Sequence, residues 1–303
     1  MSDFTFLTEE QVDQLDILKK YGKKAAMTDF SILLGGTGWN YINEGNSLKN
    51  CVSWWWTKTL YGDDADYEDD SYDCVRVVIH NGCIDWYGVD LRVIGARPAL
   101  PYSSILGICS NALRGKNGIL EVEYGEYPQD IVSEDEAKTL EREYLNRTIN
   151  QTGKSYTTDS VSDFYYNTPF KARNHTEYEY NGRKYIRIIG EWYCRGSVLS
   201  DGRTVEVDVP YWVEVKPIKW MIDEKANIAL SKRLIFSGVQ FNCGRLYGND
   251  FNETDIKKFM DKYFSKDIIP SFPRNMILED SCQIDSNQAS IAIAKKKIKK
   301  MMI

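Results

Sequence analysis

The segment Cys51-Val52-Ser53-Trp54-Trp55-Trp56-Thr57-Lys58-Thr59 places three consecutive tryptophans in a run of β-branched and small residues. Successive side chains of a strand point to opposite faces, so Trp54 and Trp56 share one face and Trp55 lies on the other. Indole rings carry large apolar areas, so either both faces are covered or one remains available for binding. The segment therefore predicts a β-strand that braces the fold, with all three tryptophans as structural residues.

A β-hairpin is predicted directly after this strand. Residues 75–79 have the pattern of a short strand, Asn81-Gly82 is a typical hairpin turn, and a second strand runs toward Arg92. An acidic, tyrosine-bearing loop precedes the hairpin at residues 62–73. The motif Gly95-Ala96-Arg97-Pro98-Ala99-Leu100 closes the unit, and we expect Arg97 and Pro98 to be structural.

The other local patterns predict a mixture of helices and strands. Thr8 and Gln11 form a capping box at the start of a helix that ends at Gly22. Further helices are expected over residues 134–145 and 253–264, the second capped by Asn252 or Thr254. Strands are expected over residues 29–34, 178–189, 212–220 and 228–236.

Composition and charge argue for a globular protein that does not bind nucleic acid. The 303 residues are 43% hydrophobic, which is enough for a packed core, and carry a net charge of −6. Residues 1–110 carry −7, residues 111–280 carry −3, and residues 281–303 carry +4. A negative body repels phosphates. The N-terminus lacks the pattern of a signal peptide and no apolar stretch is long enough for a membrane span, so neither secretion by a leader nor membrane insertion is expected.

Cysteine and histidine usage gives no indication of metal or redox chemistry. The seven cysteines include no CxxC pair, and only His80 and His175 are present, so we expect free thiols and no metal or organic cofactor. The cluster Asp63–Asp70 has the acidity of a calcium loop. It lacks the glycine and terminal glutamate of an EF-hand, and a solvated acidic loop is the preferred interpretation.

Three motifs in the second half carry a resemblance to a known family. They are Tyr124-Gly125-Glu126-Tyr127-Pro128-Gln129, the stretch from Val215 to Trp220 with the apolar run from Ile228 to Ser231, and the helix from Phe251 to Phe264. Together they resemble a domain family of gut bacteria and phages with a C-type-lectin-like, formylglycine-generating-enzyme-like fold. Trp220 is a structural residue in this comparison.

The family's closing motifs stand ahead of its opening motifs in this chain. The tryptophan strand, the hairpin and Gly95–Leu100 come first, so the resemblance implies either a circular permutation of one fold or two related domains in tandem. Permutation is preferred because neither half carries the full set. The implied fold class is α+β, and we expect residues 30–105 and 119–270 to form one body with Trp54–Trp56 in a sheet shared by both.

The predicted domain organisation has four parts. They are an N-terminal helix at 1–28, a lectin-like half with the tryptophan strand and the Arg-Pro motif at 29–110, a second half with the YGEYPQ and PIKW motifs at 111–275, and a basic tail at 276–303.

The resemblance implies a ligand face between the tryptophan strand and the Arg-Pro motif. Tyr, Asp and Asn are typical of adaptable binding surfaces, and they are also the residues that diversity-generating retroelements produce in phage display proteins of lectin fold. The predicted ligand-binding residues, which we expect to be exposed on one face with Trp86 as an anchor at the rim, are Asp64, Tyr67, Tyr72, Asn81, Asp85, Trp86, Tyr87 and Asp90. An ordinary polar loop is the alternative.

Catalysis is not expected from this sequence. Formylglycine-generating enzymes use a pair of reactive cysteines with copper, and although Cys74 and Cys83 lie near the right element, their spacing differs from that pair. The chain is interpreted as a receptor-binding protein of a phage tail or fibre, displayed on a virion or cell surface after cytoplasmic synthesis. Expected partners are a host cell-surface protein or glycan and other virion proteins, with self-association left open. An enzyme of the formylglycine-generating type and a structural virion component without a ligand are the alternatives.

Overall fold

A large antiparallel sheet and a smaller one form the framework of the protein. The computed structural model describes residues 3–36, 52–60, 74–106, 110–114, 118–160, 169–243 and 250–269. Within these residues the architecture is mixed, mostly antiparallel strands with few helices, which is compatible with the expected α+β class. Asp64, Tyr67, Tyr72, the acidic loop and the basic tail 276–303 lie outside the described residues.

Within the described residues the strands form thirteen segments. They are β1 (Ala25–Ala26), β2 (Val52–Ser53), β3 (Trp55–Leu60), β4 (Cys74–Val78), β5 (Ile84–Gly88), β6 (Ala99–Pro101), β7 (Ser110–Arg114), β8 (Leu120–Ile131), β9 (Asn150–Asp159), β10 (Ala172–Tyr180), β11 (Arg183–Ile189), β12 (Pro210–Asp223) and β13 (Ile228–Ser231).

The helices are short apart from one. They are α1 (Glu9–Gln14), α2 (Asp16–Tyr21), α3 (Asp29–Leu33), α4 (Tyr102–Ile105), α5 (Glu134–Leu145), α6 (Asp255–Phe259) and α7 (Ser265–Asp267). A π-helical turn, Met260–Phe264, joins α6 to α7, and two 3-10 turns lie at Trp192–Cys194 and Phe251–Glu253. No helix in the described segments is both long enough and apolar enough to cross a membrane.

Strand β12 organises the eight-stranded sheet. Its first half pairs with β11 and its second half with β13, while β8 runs along its other side from Ile131 to Leu120. The sheet continues from β11 through β10 to β9, and from β13 to β6. Because β6 belongs to the first half of the chain, that half contributes a strand to the sheet of the second half.

The tryptophan strand lies in a separate three-stranded sheet in the order β3-β4-β5. The expectation of a sheet shared by both halves is therefore wrong for Trp54–Trp56, whose ladder partners come from the first half alone. Side-chain packing joins the two sheets instead. Trp55 and Trp56 are fully buried in one core cluster with Ile222 and Leu230 of the large sheet, and the Trp56 ring lies 5.3 Å from that of Phe241.

A smaller core lies between α5 and the outer face of the large sheet. Trp212 packs in T-shaped contacts against Tyr144 and Tyr178, and its Nε1 donates to Glu141 of α5 at 2.9 Å. Arg187 of β11 forms a bidentate ion pair with the same carboxylate. These contacts attach the amphipathic helix to the sheet.

Three local predictions are corrected by the structure. The strand expected over 178–189 is the end of β10 and the whole of β11, which pair antiparallel across a turn at Asn181-Gly182. Residues 29–34 were expected to form a strand, but Asp29–Leu33 is the helix α3, capped by the Thr28 hydroxyl, which accepts from Ser31 N. A short apolar run buried on all sides has no periodicity that separates strand from helix. The helix expected to end at Gly22 is broken at Leu15, whose extended backbone separates α1 from α2.

Other boundaries changed less. The capping box of Thr8 and Gln11 is present, and helix α5 covers Glu134–Leu145 as expected. Thr254 caps α6, with its hydroxyl accepting from Lys257 N. The strand expected over 228–236 is shorter in the structure, where β13 ends at Ser231.

Candidate functional site

The β4–β5 hairpin carries five of the predicted ligand-binding residues. Ile79 N donates to Cys83 O and Gly82 N donates to Ile79 O, both at 2.9 Å, while the Asn81 side chain accepts from Cys83 N. Gly82 has φ 91°, a left-handed conformation that residues with a Cβ rarely adopt. The Asn81-Gly82 pair thus forms the predicted turn.

The five residues differ in exposure. Asn81, Asp85 and Asp90 are exposed, whereas Trp86 and Tyr87 are half-buried. Because neighbouring side chains on a strand alternate, Trp86 lies on one face of the sheet and Tyr87 on the other. The expectation that all the ligand-binding residues share one face is therefore wrong for this pair.

Trp86 is fixed by a charged neighbour. Arg76, its ladder partner on β4, places its guanidinium carbon 3.8 Å from the centre of the indole ring. The Arg76 Nε also forms an ion pair with Glu9 of α1 at 3.0 Å. This cation–π contact holds the indole in one orientation while part of it remains accessible.

Tyr87 is fixed by an aromatic neighbour. Its ring centre lies 4.3 Å from that of Trp54, and the Trp54 Nε1 donates to Nδ1 of His80 at 3.1 Å. Burial, followed by the nearby Asp85 carboxylate, raises the pKa of the Tyr87 phenol. Trp54 is half-buried, unlike Trp55 and Trp56.

The Arg-Pro motif lies beneath the small sheet. Arg97 and Pro98 are buried, and the Arg97 guanidinium lies 5.0 Å from the centre of the Trp55 ring. Its Nε donates to Ser231 O at 3.0 Å and its Nη1 to Lys23 O at 3.1 Å. Trp220 is also fully buried, and its Nε1 donates to Tyr124 O at 2.9 Å.

Cys74 and Cys83 do not form an adjacent pair. Cys74 is opposite Gly88 at one end of the hairpin, while Cys83 lies beside the turn at the other end. Cys83 lies opposite Ile79, five residues along the hairpin from Cys74, so the two cysteines are separated by roughly 17 Å in the strand direction. His175 is buried, and its Nε2 lies 2.8 Å from Thr158 Oγ1. Among the described residues, no group of three or more His, Cys, Asp or Glu side chains is arranged to hold a metal ion.

The sequence analysis missed a polar cleft of about 860 Å³ that begins beside the hairpin turn, where Lys24 lies next to Gly82. Its walls come from the chain after α2, from β8, from β12 and from the residues following β13, with Ser200 at one side. Asp29 lies within its floor, where its carboxylate accepts from Ile131 N, Ser200 N and Ser200 Oγ at 2.6–3.0 Å. Burial raises the pKa of this carboxyl, against the effect of those hydrogen bonds. No sequence motif marks the cleft, because its walls are far apart in the chain.

No protein-family model, curated protein or solved structure matches this chain.

Proposed function

We propose that this chain is a non-catalytic recognition protein that binds a host cell-surface protein or glycan through its β4–β5 hairpin. A phage tail or fibre is the proposed setting, and other virion proteins are its proposed neighbours. The lectin-like family and diversification by a retroelement also belong to this proposal. Both are supported by the sequence motifs alone.

The observation that carries the proposal is the arrangement of aromatic and polar groups on the hairpin. Trp86 and Tyr87 are each partly accessible and each held by a partner, Arg76 and Trp54 respectively. Aromatic side chains that are already ordered lose little entropy on binding and supply much of the contact energy. Asn81 at the turn, Asp85 on β5 and Asp90 just after it are exposed and add hydrogen-bonding groups along the hairpin.

The position of β5 in its sheet supports a binding role. Among the described strands β5 pairs only with β4, so its other edge has no ladder partner there. Backbone groups at an open strand edge can pair with a bound segment, although here the Trp86 N–H already donates to Asp85 Oδ1 at 2.8 Å. Val75 and Val77 of β4 are fully buried and form the core contact of the hairpin, so changes at exposed positions such as Asp85 leave the core packing in place.

The test is binding of the purified protein to host cells. The triple variant Asn81→Ala, Asp85→Ala, Asp90→Ala, combined with Trp86→Ala, should abolish binding, with each exposed change shifting the free energy of unfolding by only about 0.5 kcal/mol. A matched control removes one exposed amide and two exposed acids elsewhere through Asn150→Ala, Glu179→Ala and Glu224→Ala. This control should bind like the wild type.

Unchanged host binding by the hairpin variant would contradict the proposal. A structural virion role without a ligand would then be favoured. Stoichiometric copper in the purified protein, with an activity lost on substitution of cysteine, would favour the enzyme alternative instead.

A further inference from the structure

The polar cleft contains cations that lack partners. Lys216 is paired with Glu214 at 2.7 Å and Lys232 with Glu121 at 2.8 Å. Lys24 and Lys219 are exposed, and within the part of the chain that the structure describes neither ammonium has a carboxylate in ion-pair distance.

The acids of the cleft are occupied by other contacts. Asp130 is bound by Arg233 through two hydrogen bonds of 2.7 and 2.8 Å, and Asp29 accepts three hydrogen bonds from its own surroundings. Glu123 lies opposite Lys219 in the β8–β12 pairing but outside ion-pair distance of it, and it has an interaction of its own. The two unpaired lysines are therefore the groups left to receive a ligand charge.

A buried arginine beneath the cleft adds to the positive potential. Arg97 bonds to the carbonyls of Lys23 and Ser231, and the next residues, Lys24 and Lys232, line the cleft. Its guanidinium is fully buried, has no carboxylate partner among the described residues, and has an Nη2 without a hydrogen-bond acceptor there. A cation in a low-dielectric interior acts over a longer range than one in water.

The titration of Arg97 is consistent with this environment. Burial lowers its pKa to about 9, with the nearby Tyr21 acting in the opposite direction. The group is still charged at neutral pH. Its charge is balanced by no carboxylate within the described fold.

The remaining walls suit a ligand rich in hydroxyl groups. Ser200 is exposed and its hydroxyl, which donates to Asp29, can still accept a hydrogen bond, whereas the Gln129 amide is held by Lys216 O and Pro217 O. The Arg233 guanidinium is held in place by Asp130 and by Met27 O at 2.6 Å. Tyr21 is 37% exposed and offers an aromatic surface at the edge, with Lys232 Nζ 5.7 Å from its ring centre. A volume of about 860 Å³ is within the usual range for a small-molecule site.

We propose that this cleft binds an acidic saccharide, with the carboxylate or sulfate group at Lys24 and Lys219 and the sugar ring against Tyr21. The cleft adjoins the hairpin turn, because the Lys24 side chain lies beside Gly82. Its other walls come from elements outside the hairpin that carries the proposed recognition function. Its charge is supplied by exposed lysines over a buried arginine, and its specificity by the fixed polar side chains of β8 and by Arg233, which follows β13.

The experiment uses isothermal titration of the full chain with three saccharides of similar size. They are an oligogalacturonate, a sulfated disaccharide and an uncharged disaccharide. We expect one or both acidic saccharides to bind at least about tenfold more tightly than the uncharged one, since each charge-assisted hydrogen bond contributes about this factor. Which acidic saccharide binds identifies the anionic group. The affinity should fall as salt is added.

The double variant Lys24→Ala, Lys219→Ala should lose about tenfold or more in affinity while its melting temperature stays close to that of the wild type. The control Lys138→Ala, Lys258→Ala removes the same charge from two exposed positions outside the cleft and should bind normally. The hairpin variant should also retain saccharide binding, which distinguishes this site from the recognition surface.

Four results would overturn the proposal, the first three of which concern the saccharides and the lysines. These three are no binding of either acidic saccharide, equal binding of the uncharged one, and full affinity in the Lys24→Ala, Lys219→Ala variant. Loss of binding in the hairpin variant alone would move the saccharide site to the hairpin and reject the cleft.

Discussion

The guanidinium of Arg92 forms a buried ion pair with the carboxylate of Asp159, 67 residues away in the sequence. Their side chains are only 1% and 3% exposed. Arg92 follows the β4–β5 hairpin, and Asp159 is the last residue of β9, where it also accepts from Lys171 N at 2.8 Å. The pair therefore links the hairpin unit to the far edge of the large sheet. Burial raises the pKa of the Asp159 carboxyl, whereas Lys171 N–H and Arg92 act to lower it.

Breaking this ion pair should destabilise the fold strongly. Arg92→Met leaves a buried carboxylate without its cation and should cost about 3 to 5 kcal/mol in the free energy of unfolding. The double variant Arg92→Met, Asp159→Leu should lose less free energy of unfolding than the sum of the losses in the two single variants, because Asp159→Leu removes the uncompensated charge. Urea denaturation of the four proteins in this cycle measures the coupling. Additive single costs would mean that the two charges do not interact.

Trp55→Ala should cost about 3 to 5 kcal/mol, because the indole is fully buried and its Nε1 donates to Lys23 O at 3.0 Å. The same cost is expected for Trp220→Ala, whose ring is also inaccessible. Trp192 is 46% exposed and serves as the control of equal size, with an expected cost below about 1 kcal/mol for its change to alanine. Thermal melting of the three variants measures these costs. If Trp55→Ala melted like the wild type, the Trp55 indole would not be buried as described.

Acid should destabilise the protein through His175. Burial, and next the charge of Arg173, lower the pKa of His175 from 6.5 to about 3. The unfolded chain therefore binds a proton that the folded protein does not bind between these values. Stability that is present above pH 6.5 is lost as the pH falls toward 3, by up to about 1.4 kcal/mol per pH unit.

The comparison that isolates His175 is between variants. The pKa of the Asp267 carboxyl is raised by burial to about 6, which gives a pH dependence of opposite sign. His175→Gln should therefore flatten the acid limb relative to the wild type in denaturation curves between pH 4 and 7. His80→Gln, which changes the other histidine, should show the same loss of stability toward acid pH as the wild type. Identical pH dependence in His175→Gln and the wild type would rule out this source.

Substitution of the cysteines should leave hairpin recognition intact. Cys83 is exposed, and Cys83→Ser should be close to neutral. Cys194 is buried and its Sγ donates to Glu191 O at 3.2 Å, so Cys194→Ala should cost about 1 kcal/mol in the free energy of unfolding. Burial also raises the pKa of this thiol. Host binding by a variant without any of the seven cysteines, measured where the fold survives, checks the non-catalytic interpretation. Loss of binding with retained melting would contradict it.

Local signals in the sequence were sufficient for several elements. The Thr8 capping box, the Asn81-Gly82 turn, helix Glu134–Leu145 and the Thr254 cap depend on contacts within a few residues of the chain. For the same reason the exposed Asn81 and Asp85 could be assigned to a turn and a strand surface. The apolar run 29–34 had no such distinguishing signal, since helix and strand bury it equally well.

What the sequence determined by itself is therefore the set of local elements and the hairpin with its aromatic residues. Tertiary structure alone decided that Trp55 and Trp56 lie in a small sheet packed on the large one, and where the cleft lies. The cleft brings together chain segments near residues 24, 129, 200, 219 and 232. Arg97 reaches its partners at separations of 74 and 134 residues. Such pairings depend on which buried surfaces and hydrogen-bonding groups meet once the chain has closed on itself, and no periodicity within a strand or helix encodes them.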